Sequence, residues 1–216
     1  MSRIGILGGT FNPPHVAHLV CAQDARAQLG LDHVVLMPVH TPPHKEAVGD
    51  PGAEVRLAMC HAAAEDDPGL EVSRLELERG GPSWTVDTLR ALHATAPGDE
   101  LTFIVGGDQA QGLPTWREPA AILELAVLAV AAREGIGRED VRARLGDLVP
   151  PGRLAFFDMP RIDVSSSDVR RRVAAGRPIR HLVPDRVAAL IAERGLYRPS
   201  TPATLTPMEI SPHDRS

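Results

Sequence analysis

Apolar positions along this chain fall into short blocks separated by polar, glycine-rich breaks. Arg3–Leu7 is a compact β-prone run that stops at Gly8-Gly9, which predicts a buried first strand. From His15 to Leu29 the apolar positions Val16, Leu19, Val20 and Ala27 suit a helix, and Gly30 supplies the stop. His33–Pro38 reads as a second buried strand, followed by a loop over 39–52 rich in Pro, Gly and His. Glu54–Ala64 predicts a helix, the alternating Leu70–Leu77 a strand, and Thr85–Ala96 a helix. Leu101–Val105 is a strand running into Gly106-Gly107-Asp108. Ala120–Leu125 is a short helix, Ala126–Ala132 a buried strand, Glu139–Leu145 a helix and Leu154–Phe157 a strand. Ser166–Ala175 and Asp185–Arg194 are the closing helices. From Pro199 the periodicity stops in a Pro/Ser/Thr-rich tail, which predicts disorder.

Strands alternating with helices predict an α/β fold, a doubly wound parallel sheet with helices on both faces. One domain is expected over 1–198, with 199–216 as a tail. In such sheets ligands bind beyond the carboxyl ends of the strands, where the winding reverses. Four polar clusters fall at strand ends: Gly8–His18, Val39–Lys45, Gly106–Trp116 and Ser165–Arg170. They point to one composite site, and the length and position of the 39–52 loop suit a lid over it.

Charge narrows the partners. The 216 residues carry 23 Lys and Arg against 28 Asp and Glu, a net charge of −5. That balance exerts no global pull on nucleic acid or an anionic membrane, so neither is expected as a partner. No run approaches the roughly 18 apolar residues of a spanning helix, and the N-terminal stretch lacks the apolar core of a secretory signal. Cys21 and Cys60 lie in helical patterns with no CxxC, as expected of buried thiols in a reducing cytoplasm.

Candidate chemistry begins with GGTFNPPHVAH, residues 8–18. It is neither a Walker loop nor a dinucleotide fingerprint. Gly8 and Gly9 allow a tight turn and close approach to a phosphate. Thr10 and Asn12 are candidate caps of the following helix, and Pro13 and Pro14 stiffen its start. His15 and His18 share one face of the first turn, where the helix dipole and two imidazoles favour an anion. A bare HxxH is more often surface or core histidine, so its value lies in its context. Zinc is a rival, but HExxH is absent and no third ligand has sensible spacing. VSSSDVRRR, residues 164–172, places Ser165, Ser166 and Ser167 before a helix with Arg170 one turn in. Those groups can cap the helix or grip phosphate, and the plainer reading is a cap followed by a solvated basic face.

Together, GGTFNPPHVAH and VSSSDVR resemble the paired signatures of the HxGH nucleotidyltransferases. The intervening MPVHTPPHK (37–45), SWTVDTL (83–89), VGGDQ with LPTW (105–116) and VPDRVAALIAERGLYR (183–198) are similar to those of the bacterial nicotinate-nucleotide adenylyltransferases. The resemblance spans about residues 3–198. Ala17 stands where the family has Gly, Asn12 where Asp is common, and Val164 and Ser167 where Ile and Thr are usual.

The resemblance implies a Rossmann-like enzyme of NAD biosynthesis. It would join the phosphate of nicotinate mononucleotide to the α-phosphorus of ATP and expel pyrophosphate. By that resemblance His15, His18 and Arg170 are catalytic. Gly8, Gly9, Thr10, Phe11, Gly106, Asp108, Ser166 and Ser167 join them in binding ATP, with Asp108 on a ribose hydroxyl. His44, Lys45, Thr85, Trp116 and Arg133 bind the mononucleotide. Lys45 takes its phosphate with His44 nearby, Trp116 stacks on the pyridine ring, and the Thr85 backbone N–H reads the carboxylate. Arg133 is a further phosphate contact, and Trp84 is packing. Mg²⁺ would arrive with ATP rather than in a protein cage. A cytoplasmic location and a homo-oligomer are compatible with this reading. Four alternatives stay open: a nicotinamide-preferring or dual-specificity enzyme, pantetheine-phosphate adenylyltransferase, a non-catalytic adenine-nucleotide module and, more distantly, a zinc hydrolase.

Overall fold

Period-two burial explains the architecture. In the computed structural model, which describes residues 1–42, 49–132 and 137–199, Ile6 faces one core cluster and its neighbour Leu7 the other. Phe103 and Ile104 split the same way, as do Leu128 and Ala129. A strand buried on both faces reads as a continuous apolar run, and helices must cover both sides.

The strands are β1 (Arg3–Gly9), β2 (His33–Pro38), β3 (Leu70–Val72), β4 (Glu100–Gly106), β5 (Ala126–Ala132) and β6 (Leu154–Asp158). They form one sheet in the order β3-β2-β1-β4-β5-β6, and all pairings are parallel. The helices are α1 (Val16–Leu29), α2 (Ala53–Ala64), α3 (Leu75–Arg79), α4 (Thr85–Thr95), α5 (Gly107–Gly112), α6 (Pro119–Leu125), α7 (Arg138–Leu145), α8 (Ser166–Ala174) and α9 (Asp185–Glu193). α1 and α2 contribute Cys21, Ala22, Ala25, Cys60 and Ala64 to the Leu7 cluster. α4, α6 and α7 contribute Val86, Leu89, Ile122, Leu123, Val141 and Leu145 to the Ile6 cluster. A third cluster packs Met59 and Ala63 of α2 against Val169 of α8 and Val187 and Ile191 of α9.

The chain winds outward from β1 to β3, returns to β4 beside β1, and winds outward again to β6. The reversal therefore lies between β1 and β4, and Gly8-Gly9 and Gly106 mark its carboxyl rim. No helix among the described residues is long and apolar enough to cross a membrane.

Two segments depart from the sequence reading. Leu70–Leu77 is not one strand: β3 ends at Val72 and α3 begins at Leu75. The apolar alternation changes phase between Val72 and Leu75, and the Ser73 hydroxyl takes the Leu75 N–H at 3.2 Å. Gly106–Trp116, read as a polar cluster, contains α5 and a 3₁₀ turn over Leu113–Thr115. Buried Ala110 and Leu113 anchor that stretch in the core.

Candidate active site

The polar end of the site begins where β1 leaves the sheet. A Cβ on Gly9 would lie 3.1 Å from the Phe11 ring, tighter than ordinary contact, so any side chain there would push the buried ring aside. Phe11 has φ +49°, a left-handed conformation costly for an aromatic residue, and its buried ring holds it there. That ring meets His18 edge-on at 5.0 Å between centroids.

Thr10 and Asn12 do not cap α1. The N-cap residue is His15, whose backbone N–H donates to Nδ1 of His18 at 3.1 Å. Pro13 and Pro14 separate the two expected caps from the helix start, and the Asn12 Oδ1 instead accepts the Tyr197 hydroxyl at 2.7 Å. The two imidazoles stack with centroids 3.8 Å apart. With Nδ1 accepting, the proton of neutral His18 resides on Nε2.

α8 brings the Ser165–Arg170 cluster to the same place. Ser165 caps the helix by accepting the Asp168 N–H at 3.1 Å. Ser166 donates its hydroxyl to the Pro13 carbonyl at 2.8 Å. Arg170 donates Nη1 to the Asn12 carbonyl at 2.7 Å and Nη2 to Ser167 Oγ at 3.1 Å. The three serines thus divide capping, anchoring and orientation of the guanidinium. A cleft of about 640 Å³ opens between the two helix starts. Gly8, Gly9, Thr10, Phe11, His15, His18, Gly106, Asp108, Ser166, Ser167 and Arg170 all line it, with Ala17 in its wall.

A second compartment of about 210 Å³ shares Gly8, Gly9, Thr10, Pro42 and Gln109 with that cleft. Thr85 and Trp116 line it, as does Trp84, which the sequence reading gave only a packing role. Trp116 ends the 3₁₀ turn after α5 and meets Phe103 edge-on at 6.0 Å. Arg117 lines the same compartment, lies 5.7 Å from the Trp84 ring centroid and pairs with Asp87 at 3.3 Å. Glu76 of α3 is buried in its wall and accepts the Thr88 hydroxyl at 2.6 Å. Burial raises its carboxyl pKa, against smaller opposing pulls from Ser83, Thr88 and Arg79.

Arg117, Glu76, Ser83, Thr88 and Gln109 were not singled out from sequence. Arg117 was the most findable, being adjacent to Trp116. Glu76 lay inside a stretch read as a strand. His44, Lys45 and Arg133, and the tail beyond Pro199, lie outside the described residues. Cys60 is buried, and burial pushes its thiol pKa up more than nearby Arg56 lowers it, so it offers no thiolate nucleophile. Among the described residues no group of three or more His, Cys, Asp and Glu side chains is placed to hold a metal ion.

A six-stranded parallel sheet with a polar cleft at its reversal point defines a nucleotidyltransferase-like architecture, and residues 6–172 match the cytidylyltransferase-like family model. The chain belongs to that family. A probable nicotinate-nucleotide adenylyltransferase of Roseiflexus sp. is 45% identical over 197 residues, covering 90% of this chain and 98% of the relative. A protein of the same description from Symbiobacterium thermophilum is 41% identical over 199 residues, covering 91% and 96%. Among solved structures, the Plasmodium falciparum nicotinic acid mononucleotide adenylyltransferase complexed with NaAD is similar in fold, with a TM-score of 0.74 at 16% identity. That match covers 91% of this chain and 98% of the other.

Proposed function

We propose that this chain transfers the adenylyl group of ATP to nicotinate mononucleotide, giving nicotinate adenine dinucleotide and pyrophosphate in NAD biosynthesis. The observation that carries the reading is the shared Gly8–Thr10 wall, which joins a polar cleft to an aromatic compartment. ATP occupies the cleft and the pyridine mononucleotide the compartment, so the acceptor phosphate meets the α-phosphorus at the junction. An acceptor oxygen attacks that phosphorus, the bond to the β-phosphate oxygen breaks, and pyrophosphate leaves. Positioning and charge stabilisation supply the catalysis, with no covalent enzyme intermediate.

In this reading His15 and His18 hold the triphosphate and steady the growing negative charge. The Gly8–Phe11 segment and Gly106 approach the nucleotide, and Asp108 accepts from a ribose hydroxyl. Ser166, Ser167 and Arg170 hold the β- and γ-phosphates. Trp116 stacks on the pyridine, and Thr85 presents its backbone N–H to the ring substituent. His44 and Lys45 meet the acceptor phosphate, with Arg133 a further contact. Among the described residues no cluster of side chains is placed to hold a metal ion, so Mg²⁺ carried by ATP would supply charge shielding of the triphosphate. Arg117 at the aromatic compartment favours a carboxylate over an amide on the ring.

Pyrophosphate release with ATP and Mg²⁺ tests the proposal against nicotinate mononucleotide, nicotinamide mononucleotide and phosphopantetheine. Highest kcat/KM with the nicotinate acceptor is expected. Release with phosphopantetheine alone, or with none of the three, overturns it.

A further inference from the structure

Arg56 of α2 is 0% exposed, the least expected place for a guanidinium. Its neighbours Leu57, Met59 and Cys60 serve the apolar cores, so packing of α2 alone does not call for an arginine there. The reason lies in its partners. Nη1 donates to the Thr10 carbonyl at 3.1 Å and to the Val39 carbonyl at 2.6 Å. Nη2 donates to the His40 carbonyl at 3.0 Å, and Nε pairs with Asp50 at 2.9 Å. These acceptors belong to the turn leaving β1, the chain leaving β2, and the far end of the loop that begins there.

The Val39–Pro42 segment is also held from its other side. The His40 N–H donates to Ser83 Oγ at 2.9 Å, and the Ser83 N–H donates to the Thr41 carbonyl at 3.0 Å. Val39, Pro42 and Ser83 line the aromatic compartment, while Thr10 lines both compartments. Arg56 therefore ties one wall of the acceptor compartment to the loop at the junction.

We infer that Arg56 is a positioning residue for the transfer, setting the acceptor wall against the Gly8–Thr10 loop so that the two substrate phosphates meet in register. This rests on the adenylyl-transfer reading above. The chemistry suits arginine alone. A rigid fork of five N–H donors reaches three carbonyls and a carboxylate together, which the three donors of a lysine ammonium at one point do not. A misplacement of about 1 Å between reacting groups costs on the order of 100-fold in rate.

The test compares the full chain with Arg56→Lys and Asp50→Asn. Pyrophosphate release gives kcat and the KM of each substrate. Acceptor titration followed by tryptophan fluorescence reads the compartment directly, because Trp84 and Trp116 are the chain's 2 tryptophans and both line it. Circular dichroism establishes folding. For Arg56→Lys, acceptor KM should rise about 10-fold and kcat fall about 10-fold, with the KM of ATP moving less than about threefold. Asp50→Asn keeps an acceptor for Nε but removes its charge, and should raise acceptor KM about threefold. A folded Arg56→Lys whose acceptor KM and kcat stay within about twofold of wild type overturns the role, as does a fall in kcat alone with both KM values unchanged, the mark of a smaller active fraction. If Arg56→Lys does not fold, an unchanged acceptor KM in Asp50→Asn overturns it equally. A wild-type chain that releases no pyrophosphate overturns the transfer reading and this role together, whereas an active wild type with silent variants overturns this role alone.

Discussion

The Nη1 of Arg170 lies 2.7 Å from the carbonyl oxygen of Asn12, and that hydrogen bond joins the middle of α8 to the turn that leads into α1. The Gly8–His18 and Ser165–Arg170 segments, separated by most of the chain, thereby share one cleft. The arginine thus fixes one wall of the cleft through its own hydrogen bonds to Asn12 and Ser167. Replacing Arg170 with Lys keeps the charge but loses the fork that spans Asn12 and Ser167. The KM of ATP should rise about 10-fold or more, with acceptor binding changed far less. Equal changes in the two would show that Arg170 serves the fold rather than the triphosphate.

His18 accepts the His15 N–H through Nδ1, which leaves the Nε2 proton as the one suited to donate to a phosphate oxygen. Its contact should strengthen as charge grows on the phosphates. His18→Ala is therefore expected to lower kcat by about 100- to 1000-fold while changing mononucleotide Kd little. Steady-state kinetics alongside acceptor titration measures this, and parallel losses in kcat and Kd would remove His18 from the reacting end.

Trp116 belongs to the aromatic compartment and not to the lining of the larger cleft. Stacking on a ring contributes about 1–3 kcal/mol, so Trp116→Ala should raise the KM of the pyridine mononucleotide by about 10-fold or more. The KM of ATP should stay nearly constant. A selective ATP defect would mean that the two substrates occupy the opposite compartments.

Glu76 gives a pH signature. Burial raises its folded pKa above the ordinary 4.5, so the folded chain holds this proton more tightly than the unfolded chain. The associated stability is complete below about pH 4.5 and is lost as pH rises through the folded value. Glu76→Gln keeps a neutral carbonyl oxygen to accept the Thr88 hydroxyl. Its melting temperature relative to wild type should be more favourable at pH 8 than at pH 4.5. Thermal melts across that range check it, and a difference independent of pH would contradict it.

The central strands were legible because burial on both faces leaves uninterrupted apolar runs such as Leu101–Val105 and Ala126–Ala132. The glycine-rich and serine-rich motifs were legible as one composite site because both fall at strand ends, and they line one cleft. α3 and α5 were not. Each is short, and α5 has glycine at both ends, so local propensity is weak and core contacts from Ala110 and packing around Glu76 decide the outcome. The capping of α1 was misread for a related reason. The imidazole that binds the His15 N–H is one turn away on the same helix, and Asn12 is taken by Tyr197 from the far end of the domain.

Element types, strand polarity and the polar motifs that line the cleft follow from local patterns of apolarity and hydrogen-bonding chemistry, which a linear chain displays openly. The convergence of Arg170 on Asn12, the clamp of Arg56 across three segments, and the meeting of Glu76, Trp84, Trp116 and Arg117 around one compartment do not. Those depend on sheet order and on the close packing of α2, α8 and α9, contacts between residues remote in sequence whose mutual distance no local pattern encodes.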